Sequence, residues 1–138
     1  VNLTEAYKDF VRSATRGIMM VENRRAVLVQ DEFEITKSCE LAVGMTTDAA
    51  IDVRQGTVAV LRLGGKELTA RVLSPQNAVF TVESAEQEPP QKKNTGVRRL
   101  VMKLPQAWGA VRVAILLSPA WPDGKVVETA EIKPLARW

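Results

Sequence analysis

A chain of 138 residues, 46% hydrophobic and 25% charged, has room for one domain with a core of useful size. It contains no histidine, which removes Ser-His-Asp and Cys-His nucleophiles and the common zinc sites, and a lone Cys39 excludes an internal disulfide. The net charge of +3 is a weak bias, and no apolar run approaches the roughly 20 residues of a membrane helix.

The chain opens VNLTEAYKDF, which lacks the basic-then-apolar layout of a secretory signal and an initiator Met. A mature or excised piece of something longer is the expectation. Val1–Tyr7 reads as a short strand or a linker tail. Lys8 to Ile35 then folds back on itself as two strands around a turn at Glu22–Arg25. One register pairs Met20 with Val27, Ile18 with Val29, Arg16 with Asp31 and Ala14 with Phe33. Because side chains alternate faces, Met20, Ile18, Ala14, Val27, Val29, Phe33 and Ile35 share one face, predicted to be the core face. Arg16 and Asp31 fall on that face too, directly opposite each other. A charge there needs a partner, so the two form a structural ion pair.

Glu40–Thr46 and Asp48–Arg54 read as further strands, the second ending at the turn Gln55-Gly56. Thr57–Leu63 and Lys66–Leu73 flank Gly64-Gly65, the strongest short hairpin signal in the chain. After the turn Ser74–Asn77 comes the strand Ala78–Ser84. The polar, proline-bearing loop Ala85–Gly96 follows, expected to be the most mobile stretch. Val97–Leu104 and Val111–Leu117 are strands on either side of a connection at Pro105–Ala110. Trp121–Gly124 is a turn, and Val126–Trp138 closes the chain. No segment sustains an apolar period of 3.6 residues, the best helical stretch being the short Thr4–Val11. About ten short strands between regular turn signals predict one all-β domain over residues 1–138, an antiparallel β-sandwich.

The residues offer little chemistry of their own. Asp31 and Glu32 are adjacent on a strand and point to opposite faces, so they cannot flank one substrate bond as a glycosidase pair does. Gly64-Gly65 lacks phosphate-loop spacing, and Asp48 with Asp52 makes no calcium loop. The basic pairs Arg24-Arg25, Lys92-Lys93 and Arg98-Arg99 have no interleaved aromatics, so they read as solvated loops and not as a nucleic-acid surface. Trp108, Trp121 and Trp138 sit beside Gly, Pro or the chain end. They are candidates for glycan stacking or for packing against another domain.

The strand Val11–Ile18 (VRSATRGI), the turn, and Ala26–Glu34 (AVLVQDEFE) together resemble the C-terminal β-domain of heparinase II/III-type polysaccharide lyases. In that family an Arg-bearing strand turns into a hydrophobic strand ending in an Asp-Glu-like dipeptide. Leu41–Ile51 (LAVGMTTDAAI) is similar to the following strand of the family, and Ile132–Trp138 (IKPLARW) to its C-terminal close. The resemblance implies a larger parent with an N-terminal α/α toroid that carries most catalytic groups. Such enzymes cleave uronic-acid-containing glycans by taking the C5 proton and eliminating the 4-linked sugar.

This chain would then be the non-catalytic accessory half. Its partners would be the toroid and an acidic polysaccharide, and its location periplasmic or secreted. Tyr7 is not to be taken for the family's catalytic tyrosine, which belongs to the toroid. Some members bind a structural zinc in the β-domain through histidines and an aspartate. Asp31 falls about where that aspartate would, but no histidine exists here. The expectation is no metal or other cofactor, with Arg16 neutralising Asp31 instead. The alternative is a stand-alone carbohydrate-binding or interaction module.

Overall fold

A computed structural model describes residues 1–138. Seven strands form one antiparallel sheet: β1 (Val11–Val21), β2 (Ala26–Thr47), β3 (Ala50–Arg54), β4 (Val58–Leu63), β5 (Lys66–Ser74), β6 (Phe80–Ser84) and β7 (Arg98–Pro119). Their order is β1-β2-β7-β5-β4-β3, with β6 pairing β7 off this path. Short 3-10 turns at Thr4–Tyr7 and Leu135–Arg137 are the only helical elements.

Seven strands replace the expected ten because two pairs of expected strands join into strands of 22 residues each, and the chain ends at Val1–Tyr7 and Val126–Trp138 form none. β2 joins what the sequence reading separates at Thr36–Cys39, and β7 runs straight through Pro105–Ala110. The joins are bulges. Opposite Ala107–Gly109, β2 carries extra residues between Ile35 and Cys39, and β7 carries one extra residue between Leu104 and Ala107, opposite Leu41–Cys39. Pro105 lies in that second slip, so its missing N–H falls at a break in the ladder. Gly109, at φ +69, supplies a backbone shape that other residues resist.

Bulges bend strands, and here they fold the sheet over on itself. Past the bend, β2 pairs through Leu41–Thr47 with Arg98–Leu104 of β7, and β6 adds to β7 there. Before it, β1, β5, β4 and β3 extend the sheet around the other ends of the same two strands. The halves face each other across one core. Val43, Phe80, Leu100 and Met102 of the smaller half meet Ala59, Leu61, Ala70, Val72 and Val113 of the larger. A second cluster of Val11, Ala14, Ile35 and Ala107 sits near the bend, with Leu3 packed on it.

The β1–β2 register is the one read from the sequence, every in-register pair from Val21–Ala26 through Ser13–Glu34. The face assigned to the core does line it at Ala14, Asp31 and Ile35, but Ile18 and Met20 on the same face are each 65% exposed, and on the opposite face Leu28 and Gln30 are fully buried, as are Ala114 and Leu116 beside them. The burial of that second face comes from the C-terminal segment. Val126–Trp138 forms no strand but a strap laid across the outer face. The strap is pinned by Val127 N–H to Ser118 Oγ at 2.9 Å, Gln30 Nε2 to the Lys133 carbonyl at 2.7 Å and Leu135 N–H to Glu32 at 3.2 Å. Both acceptors of the Gln30 amide group lie on its nitrogen side, which fixes its orientation and leaves Oε1 buried without a partner.

Gly17 makes the strap's end fit. A Cβ there would collide with Leu135 and stand 2.7 Å from the Trp138 ring. We expect Gly17→Val to lift the strap and destabilise the domain by about 1–3 kcal/mol, with Trp emission moving to the red. Urea denaturation with an unchanged midpoint and emission would show that the strap is not held there.

Candidate functional site

At the inner face, Arg16 and Asp31 lie opposite each other in the ladder, and their side chains meet. Arg16 Nε donates to Asp31 Oδ1 at 2.7 Å and Nη2 donates to Oδ2 at 2.8 Å, the bidentate fork that matches guanidinium to carboxylate. The pair is asymmetric. The Asp31 side chain is 1% exposed and that of Arg16 39%. The hydrogen bonding that Arg16 donates to Asp31 outweighs desolvation and raises the Arg16 pKa above its ordinary value. A raised cation pKa stabilises the fold at every pH below the unfolded value, so this contribution is complete at neutral pH and lost only in strong alkali. With both carboxylate oxygens engaged and the group sealed from solvent, the pair is built to hold two strands in register.

Glu32, the neighbour of Asp31, points the other way and has its own network. Its Oε1 accepts from Arg112 Nε at 2.8 Å, Gln30 Nε2 at 3.1 Å and the Leu135 N–H. Sequence reasoning missed Arg112, although it is detectable: carrying the register across to β7 sets Arg112 opposite Glu32. Glu32 and Arg112 belong to an open hollow of about 410 Å³ on the outer face, floored also by Ser13, Thr15 and Glu34.

The three tryptophans do not make one platform. Trp121 belongs to the hairpin tip: its Nε1 donates to the Arg25 carbonyl at 2.8 Å, and the Arg25 guanidinium lies 5.1 Å from its ring centroid. Arg25 also pairs with Asp123 at 2.6 Å and holds that carboxyl below the usual carboxylate range. Trp138 caps Gly17, its Nε1 donating to the Lys133 carbonyl at 3.2 Å. Trp108 stands alone near the bend and is 65% exposed.

Two other candidates share a cavity: Cys39, a half-buried free thiol, and Tyr7, half exposed, both line an apolar space of about 320 Å³ that also reaches Arg16. No three His, Cys, Asp or Glu side chains converge to hold a metal ion. A second apolar cleft, of about 250 Å³, opens between the halves beside Ile18, with Val29, Met45, Phe80 and Ile115 in its walls. No helix is long and apolar enough to cross a membrane.

No family model matches the sequence, and a comparison with curated proteins found no match. Among solved structures, the chain is similar to the heparan sulfate lyase HepC from Pedobacter heparinus, with TM-score 0.65 at 15% identity over 80% of this chain. The chain spans 18% of the length of that lyase. At that identity the likeness establishes a shared fold.

Truncating Arg16 to Ala strands a buried carboxylate. We expect a loss of about 3 kcal/mol, the low end for a broken buried pair because the guanidinium side is partly solvated. Arg16→Leu with Asp31→Val, which removes both charges, is expected to be more stable than Arg16→Ala. Thermal unfolding of these two variants beside the parent protein checks this, and a double variant no more stable than Arg16→Ala would argue against a coupled pair.

Proposed function

We propose that this chain is an accessory β-domain of a heparinase II/III-like polysaccharide lyase, one that packs against a catalytic α/α toroid and helps wall its substrate cleft. The parent would act on uronic-acid-containing glycans by β-elimination, in the periplasm or outside the cell. The carrying observation is the fold shared with HepC over most of this chain, where the matching region is a minor part of a much longer heparan sulfate lyase.

The residues support an accessory role. The one buried carboxylate is tied up by Arg16, and the chain has no histidine to serve as a base. The inner cleft supplies a place for the partner. Ile18 and Met20 stand 65% exposed on the inner face, and Ile18 lines an apolar cavity that the sandwich itself leaves unfilled. Apolar side chains from the toroid would complete that core, much as the strap completes the outer face. The overall charge of +3 gives a small bias toward an acidic glycan near the shared cleft.

The isolated chain should release no unsaturated uronate product from heparan sulfate or alginate. In the full gene product carrying this domain, Ile18→Asp with Met20→Asp should cut kcat/KM by more than about tenfold, since both charges would be buried against the toroid. The same pair in the isolated domain should shift its stability by no more than about 0.5 kcal/mol per site. Turnover by the isolated chain, or an unaffected full-length variant, would overturn the reading.

A further inference from the structure

The outer hollow is not used by the reading above and faces away from the apolar cleft. In the alternation of β2 and β1, Glu32 and Glu34 share the outer face with Ser13 and Thr15, opposite the face that carries Asp31 and Ala14. On β7, Ala110 and Arg112 complete the floor. Trp108 is two residues from Ala110 and, like Ala110, exposed, whereas Ala107 before it is buried in the core. Trp138 stands at the other end, over Gly17, two residues from Thr15. Neither indole is among the residues that line the hollow; by register they fall in the flanking rows, near Ile35 and Gln30, five residues or about 17 Å apart along β2.

We propose that this hollow is a binding subsite for a neutral oligosaccharide, with a pyranose ring stacked on Trp108. The chemistry of the walls is what such a ligand needs. An exposed indole gives an apolar face to the C–H side of a sugar ring. Glu34 has no salt-bridge partner, so its two oxygens can accept hydrogens from neighbouring hydroxyls. Arg112 spends Nε on Glu32 and keeps its remaining N–H groups as donors, while Ser13 and Thr15 supply hydroxyls that do either. Ala110 keeps the floor low beside the indole.

Charge decides the class of glycan. The floor carries the Glu32 and Glu34 carboxylates against the single Arg112 guanidinium. The local excess is negative, which repels uronates and sulfates and leaves neutral sugars. The site is thus distinct from a cleft that handles an acidic polymer, and the domain could hold the parent on a mixed glycan matrix while the cleft works on another component.

The test is calorimetric titration of the isolated chain with cellotetraose, maltotetraose and chitotetraose, and with heparan sulfate oligosaccharide for comparison. At least one neutral tetrasaccharide should bind, with heparan sulfate weaker by about tenfold or more under low salt. Trp108→Ala should weaken binding roughly tenfold and Glu34→Gln should weaken it less, while Trp121→Ala, at the distant hairpin tip, should leave it unchanged. Circular dichroism and melting establish that each variant folds, which Trp108→Ala is placed to do because its side chain is exposed. No neutral binding at millimolar ligand, equal binding of heparan sulfate, or full affinity in Trp108→Ala would each overturn the proposal. None of these results touches the lyase reading, which is judged by uronate turnover alone.

Discussion

The structure depends on one ladder, the pairing of the two 22-residue strands β2 and β7, and on the bulges that break its register near the middle. Everything else hangs on the two ends of that ladder. One end collects β1, β5, β4 and β3, and the other collects β6. Without the slips at Ile35–Cys39 and Leu104–Ala107 the sheet would run on as a twisted ribbon with two wet faces. With them it doubles over, and Leu100, Met102 and Val43 come to rest on Ala70, Val72 and Leu61. A sandwich made from one folded sheet has its halves joined covalently through the same two strands, so neither half can form its core without the other.

The Arg16–Asp31 fork sits on this frame as a register pin. Slipping β1 by one residue would turn Arg16 to the outer face and leave a buried carboxylate facing an apolar strand. Such a pair contributes less to net stability than its short distances suggest, because both groups are desolvated to form it. Its larger effect is to penalise the alternatives. The Glu32–Arg112 pair does the same on the outer side, between β2 and β7, in more solvated surroundings.

Much of this was legible in the sequence, and the failures have physical causes. The β1–β2 register followed from period-two alternation and the need of one buried charge for another. The Gly64-Gly65 hairpin followed from turn chemistry, and both glycines do take positive φ. The breaks placed in β2 at Thr36–Cys39 and in β7 at Pro105–Ala110 were wrong because a loss of alternation or a proline reads as a connection, while a bulge accommodates the same residues inside a strand. Exposure of Ile18 and Met20 could not be read from alternation, which says which residues share a face but not what covers it. The covering strap comes from a segment about a hundred positions away, joined to Gln30 and Glu32 by backbone groups that carry no sequence signature. The outer hollow escaped for the same reason, since it appears only when three strands are set side by side.

The tip of the first hairpin adds one more dependence. Glu22, Asn23 and Arg24 all take positive φ, a conformation costing about 1–2 kcal/mol for a residue with a side chain. What holds this tip is Trp121 and Asp123, grasping Arg25 across 96 and 98 positions of chain. During synthesis the tip therefore emerges first and is fastened near the end. A nascent chain stopped short of Trp121 would carry a loose-ended ribbon whose two strands pair without a settled corner. The order of translation thus runs opposite to the order in which this corner becomes secure.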